Sequence, residues 1–201
     1  MKKLSGRMTA LIVVVVIVFF GIIWGVRTNN RMITAEEGVS AAWAQVENVY
    51  QRRMDLIPNL VSTVKGAADF EKGTLEAVID ARAKATSVQV DANTLSEANI
   101  AAFQKAQDGL SSALSRLMVT VERYPELKAT DNFRDLQAQL EGTENRITTE
   151  RNKFNEVVKS YNTMIRKFPN SMIANMGGFE KKGYFTAKEG AESAPEVNFE
   201  F

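Results

Sequence analysis

The sequence predicts an all-α protein: an N-terminal transmembrane helix, an antiparallel bundle of about four helices with the first and last long, and an irregular C-terminal tail. Three observations carry this reading. Residues 8–26, MTALIVVVVIVFFGIIWGV, run nineteen positions without a charge. Apolar residues then recur at alternating spacings of three and four over most of the remaining chain. Proline is confined to Pro58, Pro125, Pro169 and Pro195, which leaves long stretches free to stay helical.

Residues 1–7 form a basic flank with Lys2, Lys3 and Arg7. As a helix, residues 8–26 reach about 28 Å, close to the ~30 Å hydrocarbon core of a bilayer. A cleaved secretory signal is the competing reading. The apolar run is longer than the usual ~7–15 residues of such a signal, and no small-x-small cleavage pair follows it before Arg27 and Thr28. Trp24 and Arg27 suit an interface, an aromatic at headgroup depth and a cation beyond it. A single-pass signal-anchor is therefore expected, followed by a juxtamembrane link at 27–34. Three cations before the span against Arg27 and Arg31 after it place the N-terminus inside and the domain outside, by the positive-inside rule.

The bundle is expected over residues 35–169. Val39, Trp43, Val46, Tyr50, Arg53, Ile57, Leu60, Val64 and Ala67 form the seam of a first helix over 35–70. Pro58 lies inside it and predicts a kink or break near 54–57, because proline removes one helical hydrogen bond. A shorter helix fits 74–87, with Leu75, Val78, Ile79 and Arg82 on one side. Thr94-Leu95-Ser96-Glu97 reads as a capping box. Phe103, Ala106, Leu110, Ala113, Leu117, Thr120 and Tyr124 continue the pattern to Pro125. The clearest segment is 132–168, whose seam is Phe133, Leu136, Leu140, Thr143, Ile147, Glu150, Phe154, Val157, Tyr161, Met164 and Phe168. That is a 3.5-residue period. Thr130 or Asp131 can cap its start, and Pro169 stops its end. Short links favour a bundle within one chain over an extended multi-chain coiled coil. The tail, 170–201, carries glycines and aromatics; those before residue 188 are expected to cover a bundle end. The terminal apolar alternation with Phe199 and Phe201 either docks on its own domain, as many tails do, or adds to a partner's sheet edge.

Arg53 and Glu150 occupy seam positions that should be apolar. Arg53 lies 18 residues past Ala35 and Glu150 lies 18 before Phe168. If those two residues mark a common base, both charges stand about 27 Å above it. A buried ion pair is the expectation; outward snorkelling of both long side chains is the alternative.

Composition narrows the chemistry. The chain has neither His nor Cys. Thiolate chemistry, Ser-His-Asp triads, HExxH zinc sites and Glu-x-x-His di-iron centres are excluded. No phosphate loop or nucleophile elbow occurs. No catalytic residue, cofactor or metal site is expected. Glu141 and Glu144 form a carboxylate pair, but such pairs at i, i+3 are mostly solvated helix surface. Beyond Arg27 the balance is 21 basic residues against 24 acidic ones, which argues against nucleic acid as a partner.

Several motifs resemble the LemA family of bacterial membrane proteins. They are Ala42-Trp43, the run from Gln51-Arg52-Arg53-Met54-Asp55 through Leu56-Ile57-Pro58-Asn59-Leu60-Val61, and Ala81-Arg82. Glu122-Arg123-Tyr124-Pro125, Thr143-Glu144-Asn145-Arg146-Ile147, Tyr161-Asn162, Phe168-Pro169 and the segment from Gly178-Phe179 to Tyr184-Phe185 complete the set. The resemblance extends over nearly the whole chain, anchor included. It implies a single-span helical bundle in the bacterial inner membrane with no settled activity, and gives weight to Arg52, Arg53, Asp55, Pro58 and Asn59. It also implies an inside domain, opposite to the flanking charges. The leading expectation is a non-enzymatic, membrane-anchored scaffold or adaptor. A ligand- or signal-sensing bundle and a membrane-shaping homo-oligomer are the alternatives. The bilayer is one partner, and an unidentified protein is the other.

Overall fold

The computed structural model describes residues 6–66 and 70–187. Helix α1, Gly6–Lys65, is one uninterrupted helix of 60 residues, about 90 Å long. Its first part is apolar all round, and those side chains are exposed. No break occurs at 27–34, where a link was expected. The physical reason lies in the residues: Arg27 to Thr34 include no Gly or Pro, and Thr28 and Met32 are already buried. The helix also passes through Pro58 without interruption.

Helices α2 (Lys72–Ser87), α3 (Glu97–Val121), α4 (Pro125–Lys128), α5 (Asp131–Arg166) and α6 (Asn170–Gly177) follow. Among the described residues there is no strand. The cap of α3 is Ser96, whose hydroxyl accepts from the Asn99 amide, so the expected box beginning at Thr94 is displaced by two residues. Pro125 opens α4 at its first turn, where a missing N–H costs nothing. Thr130 caps α5 by accepting from the Phe133 amide. Gly178, at φ 73°, closes α6 in the left-handed region that favours glycine.

Cross-contacts give the directions. Arg82 reaches Met54, and the Phe70 and Tyr124 rings meet at a tilt, 4.8 Å apart. Phe103 lies against Trp43 and Tyr50, whereas Arg53 meets Ser111. Thus α1 rises, α2 descends, α3 rises and α5 descends, an up-down-up-down bundle.

The core has two parts. The lower cluster, nearer the apolar end of α1, contains Met32, Val39, Trp43, Tyr50, Phe103, Phe154, Tyr161 and Phe185. The upper contains Ile57, Leu60, Val64, Val78, Leu110, Leu117, Phe133 and Leu140. The seam of α1 is buried at each position from Val39 to Val64; Ala67 lies outside the described residues. On α5 the expected 3.5 period slips. Val158 and Ile165 are buried where Val157 and Met164 were expected, and Phe168 is exposed. A straight helix turns at 3.6 residues and drifts about 20° per heptad away from a 3.5 pattern. On α2, Ile79 is likewise exposed.

Residues 178–187 form a non-helical strap along the side of the lower cluster, rather than over a bundle end. Three side-chain amides satisfy its backbone in pairs. Asn162 donates to the Lys182 carbonyl at 2.9 Å and accepts from its N–H at 3.0 Å. Asn155 does the same for Phe185 at 2.9 Å each way, and Gln104 for Thr186 at 2.9 and 3.1 Å. Each carboxamide offers the donor and acceptor that a neighbouring strand would. The Gly183 amide donates to the Leu95 carbonyl at 2.8 Å, and a Cβ at Gly183 would stand 2.7 Å from the Glu97 Cα. The interaction candidates Phe199 and Phe201 lie outside the described residues.

Candidate functional site

A polar layer separates the two clusters, and Arg53 is its centre. Arg53 sits on the buried face of α1, one turn above Tyr50 and one below Ile57, so the helix carries its side chain inward. Only 1% of the residue is exposed. Its Nη1 donates to Ser111 Oγ at 2.8 Å and to Glu144 Oε2 at 3.0 Å. Its Nη2 donates to Gln107 Oε1. The guanidinium carbon stands 5.0 Å from the Tyr50 ring centroid, a cation–π geometry. Among the described residues, Nε–H has no acceptor. Partners therefore come from α3 and α5, and one guanidinium fixes the relative height of three helices. Burial raises the Tyr50 hydroxyl above its ordinary pKa, opposed by Arg151 and Arg53. Burial also raises Tyr161, assisted by Glu36, so both phenols stay neutral across the physiological range.

The acidic partner of Arg53 is Glu144, not Glu150. Glu150 instead pairs with Lys153 on its own helix at 2.8 Å, and its side chain is 20% exposed. The discrepancy is one of register. Glu36 lies 17 residues before Arg53, and its contact Tyr161 lies 17 after Glu144. In that register Phe168 falls beside the stretch expected to be a link, because α1 is helical there and α5 packs against it. The base of the bundle is thus about six residues lower on α1 than Ala35, and the height argument inherits that offset.

Pro58 has a specific consequence. Proline has no N–H to give to the carbonyl four residues earlier. That carbonyl belongs to Met54, and Arg82 Nε from α2 donates to it at 3.1 Å. A second helix thereby replaces the missing bond. Arg52, Asp55, Pro58 and Asn59 are all exposed. Asp55 accepts from Gln51 at 2.8 Å, one turn earlier on the same helix. The structure joins Arg53 to α3 and α5, and α2 to the Met54 carbonyl that Pro58 leaves free, while Arg52, Asp55, Pro58 and Asn59 stay on the outer face of α1.

Gln107 and Ser111 are site residues that reading the pattern missed. The signal was available: Gln107 stands four residues after Phe103 and three before Leu110, on their face of α3, and it is buried. Glu141 and Glu144 do not act as a pair, since Glu144 faces Arg53 and Glu141 accepts from Gln137 at 2.9 Å. A groove of about 380 Å³ between α3 and α5, lined by Arg53, Ser111, Leu140 and Glu144, opens over this layer. Its guanidinium end groups are already taken by protein acceptors.

A family model described as LemA family matches residues 42–199, beginning within α1 and after the apolar segment. Magnetosome protein MamQ 2 of Paramagnetospirillum magneticum is 26% identical over 181 residues, covering 82% of this chain and 66% of that protein. Magnetosome protein MamQ of Magnetospirillum gryphiswaldense has the same identity and coverage. Protein LemA of Metamycoplasma hominis is 23% identical over 161 residues, covering 80% and 70% respectively. The chain spans just under two thirds of the length of the two MamQ proteins.

Proposed function

The chain belongs to the LemA family, and from that premise we propose that it is a membrane-anchored scaffold or adaptor of the bacterial inner membrane, working through its surfaces and not through catalysis. The observation that carries this is the continuity of α1. One helix runs from the apolar segment through both core clusters, so a bundle held in a bilayer by residues 8–26 stands at fixed height and rotation. A flexible tether would suit a domain that diffuses to a substrate; a rigid mast suits one that presents a face. Further support comes from the sequence, which lacks the His and Cys that most reactive centres use. The names of the relatives point to no reaction either.

The test is photocross-linking in intact membranes from probes on the outer stripe of α1, at Arg52 and Asn59. Recurrent adducts to one protein, a second copy included, are expected. They should vanish when a Gly-Pro pair is inserted at 33–34 while membrane retention persists. Unchanged adducts after the insertion, or adducts to lipid alone, would overturn the scaffold reading. The excess of cations before the span supports placing the domain outside. External protease should then digest it in spheroplasts, and protection would reverse the orientation.

A further inference from the structure

We propose that the Phe168–Pro169 turn and α6 form a second membrane contact, a foot that enters the headgroup region beside α1. The proposal rests on the reading of residues 8–26 as a span. Its starting point is height. A Cβ on Gly25 would lie 3.6 Å from Ile173 Cδ1, and one on Gly177 would lie 3.3 Å from Asn29 Oδ1. Four residues separate the members of each pair on either helix, so α6 runs parallel to α1 with its start below Gly25. Asn170 and Lys167 line one groove with Trp24. The turn therefore reaches the last helical turn of the apolar segment, a level that lies inside the interface of any bilayer that segment spans.

The foot presents large apolar side chains that nothing covers, beside the exposed Lys167 and Asn175, with Met176 about one turn above the others. Phe168 is 81% exposed, Met172 57% and Met176 85%. Ile173 and Ala174 face inward and hold the helix against the lower cluster. Large side chains exposed to this degree are costly in water and favourable in the acyl boundary. The foot stands beside α1 where Ile22, Trp24 and Val26 are themselves exposed, which argues for the same occupant, lipid. Above the foot, the groove between α1 and α5 has a volume of about 570 Å³. Its charged residues are Arg31, Lys159 and Lys167 against one acid, Glu156, a balance that complements anionic headgroups.

The absence of cysteine permits single-site labelling of the full chain. Phe168→Cys, Met172→Cys and Met176→Cys would each carry an environment-sensitive fluorophore in vesicles of phosphatidylethanolamine and phosphatidylglycerol. Val16→Cys reports the span, and Val119→Cys, exposed near the far end of α3, reports water. The foot probes are expected to shift to the blue, lose most of their iodide quenching relative to Val119, and be quenched by nitroxide lipids labelled near the headgroup. Val16 should be quenched best by lipids labelled near mid-chain. Foot probes as accessible to iodide as Val119, with Val16 deep, would overturn the foot and leave the anchor standing. Foot probes shielded from iodide yet untouched by nitroxide lipids would assign the face to protein, a second copy or residues 188–201, and also overturn it. A Val16 probe in water would remove the anchor and the foot together.

Discussion

The two halves of the core are built from different materials. Above Arg53, α1, α2, α3 and α5 each supply a face, and the filling is mainly aliphatic: Ile57, Leu60, Val64, Leu110, Leu117 and Leu140. Below it α2 soon ends, at Ser87, and rings become prominent: Trp43, Tyr50, Phe103, Phe154, Tyr161 and Phe185 are buried there, against Phe133 above. Trp43 meets Phe103 at 5.2 Å, Phe154 at 5.5 Å and Phe185 at 6.0 Å between centroids. Phe185 is not on a helix; the strap delivers it. The upper half is thus a product of helical periodicity, where small branched side chains at 3.5-residue spacing meet their neighbours. The lower half lacks α2 over most of its height, and large aromatics with an extended segment make up that wall. The amide pairs of Gln104, Asn155 and Asn162 let that segment be buried without orphaned backbone groups.

Emptying the strap should have the largest effect. Phe185→Ala removes a buried ring touching three others and should cost about 3–5 kcal/mol. The loss should be local: amide exchange quickens around Trp43, Phe154 and residues 178–187, and α2 keeps its protection. Equal loss of protection in both halves would show one cooperative core and erase the distinction.

The boundary layer gives the next largest effect. Arg53→Ala leaves Gln107 and Ser111 without their donor and opens a cavity, at a cost of about 3 kcal/mol. The low end of the range for broken buried pairs applies because Glu144 is half exposed and regains water. Arg53→Met keeps the volume and removes the charge, so its cost should fall to about 1 kcal/mol. Denaturant melts of the two variants decide what the layer does. If Met restores stability but the two halves then melt apart or change spacing, the guanidinium sets register. If Met is as damaging as Ala, the hydrogen bonds themselves hold the halves together.

The same division governs what could be read from the sequence. The helical seams were legible: in the upper half residues from Ile57 to Val64 on α1 and from Phe133 to Thr143 on α5 are buried, because each lies on a helix with helices around it, and the α1 seam continues down to Val39. Arg53 stood out for the same reason, a charge on an apolar stripe. Its partner did not, because pairing depends on where α5 ends against α1, and 27–34 carried polar residues that read as a link. The strap was the least legible part. Asn155, Asn162 and Gln104 sit on α5 and α3 as ordinary polar residues, and only a segment distant in sequence reveals them as ladder partners.

The smallest effect tests how the upper half begins. Met54 is the first residue of the upper cluster on α1, and its carbonyl depends on Arg82 because Pro58 cannot serve it. Arg82→Met should cost about 1 kcal/mol, the ordinary net value of one hydrogen bond. In a Pro58→Ala background the new amide at residue 58 can return to the Met54 carbonyl, and the same Arg82→Met change should then cost almost nothing. A double-mutant cycle therefore predicts a coupling of about 1 kcal/mol between a proline on α1 and an arginine on α2. Strict additivity would reduce Arg82 to a bystander. The lower half offers a ready control. Below Pro58 no proline interrupts α1, and α2 does not extend past Ser87. If the coupling is found, α2 supplies from outside the donor that Pro58 denies to the Met54 carbonyl, and the junction of α1 with α2 is set in part by a hydrogen bond and not by apolar packing alone.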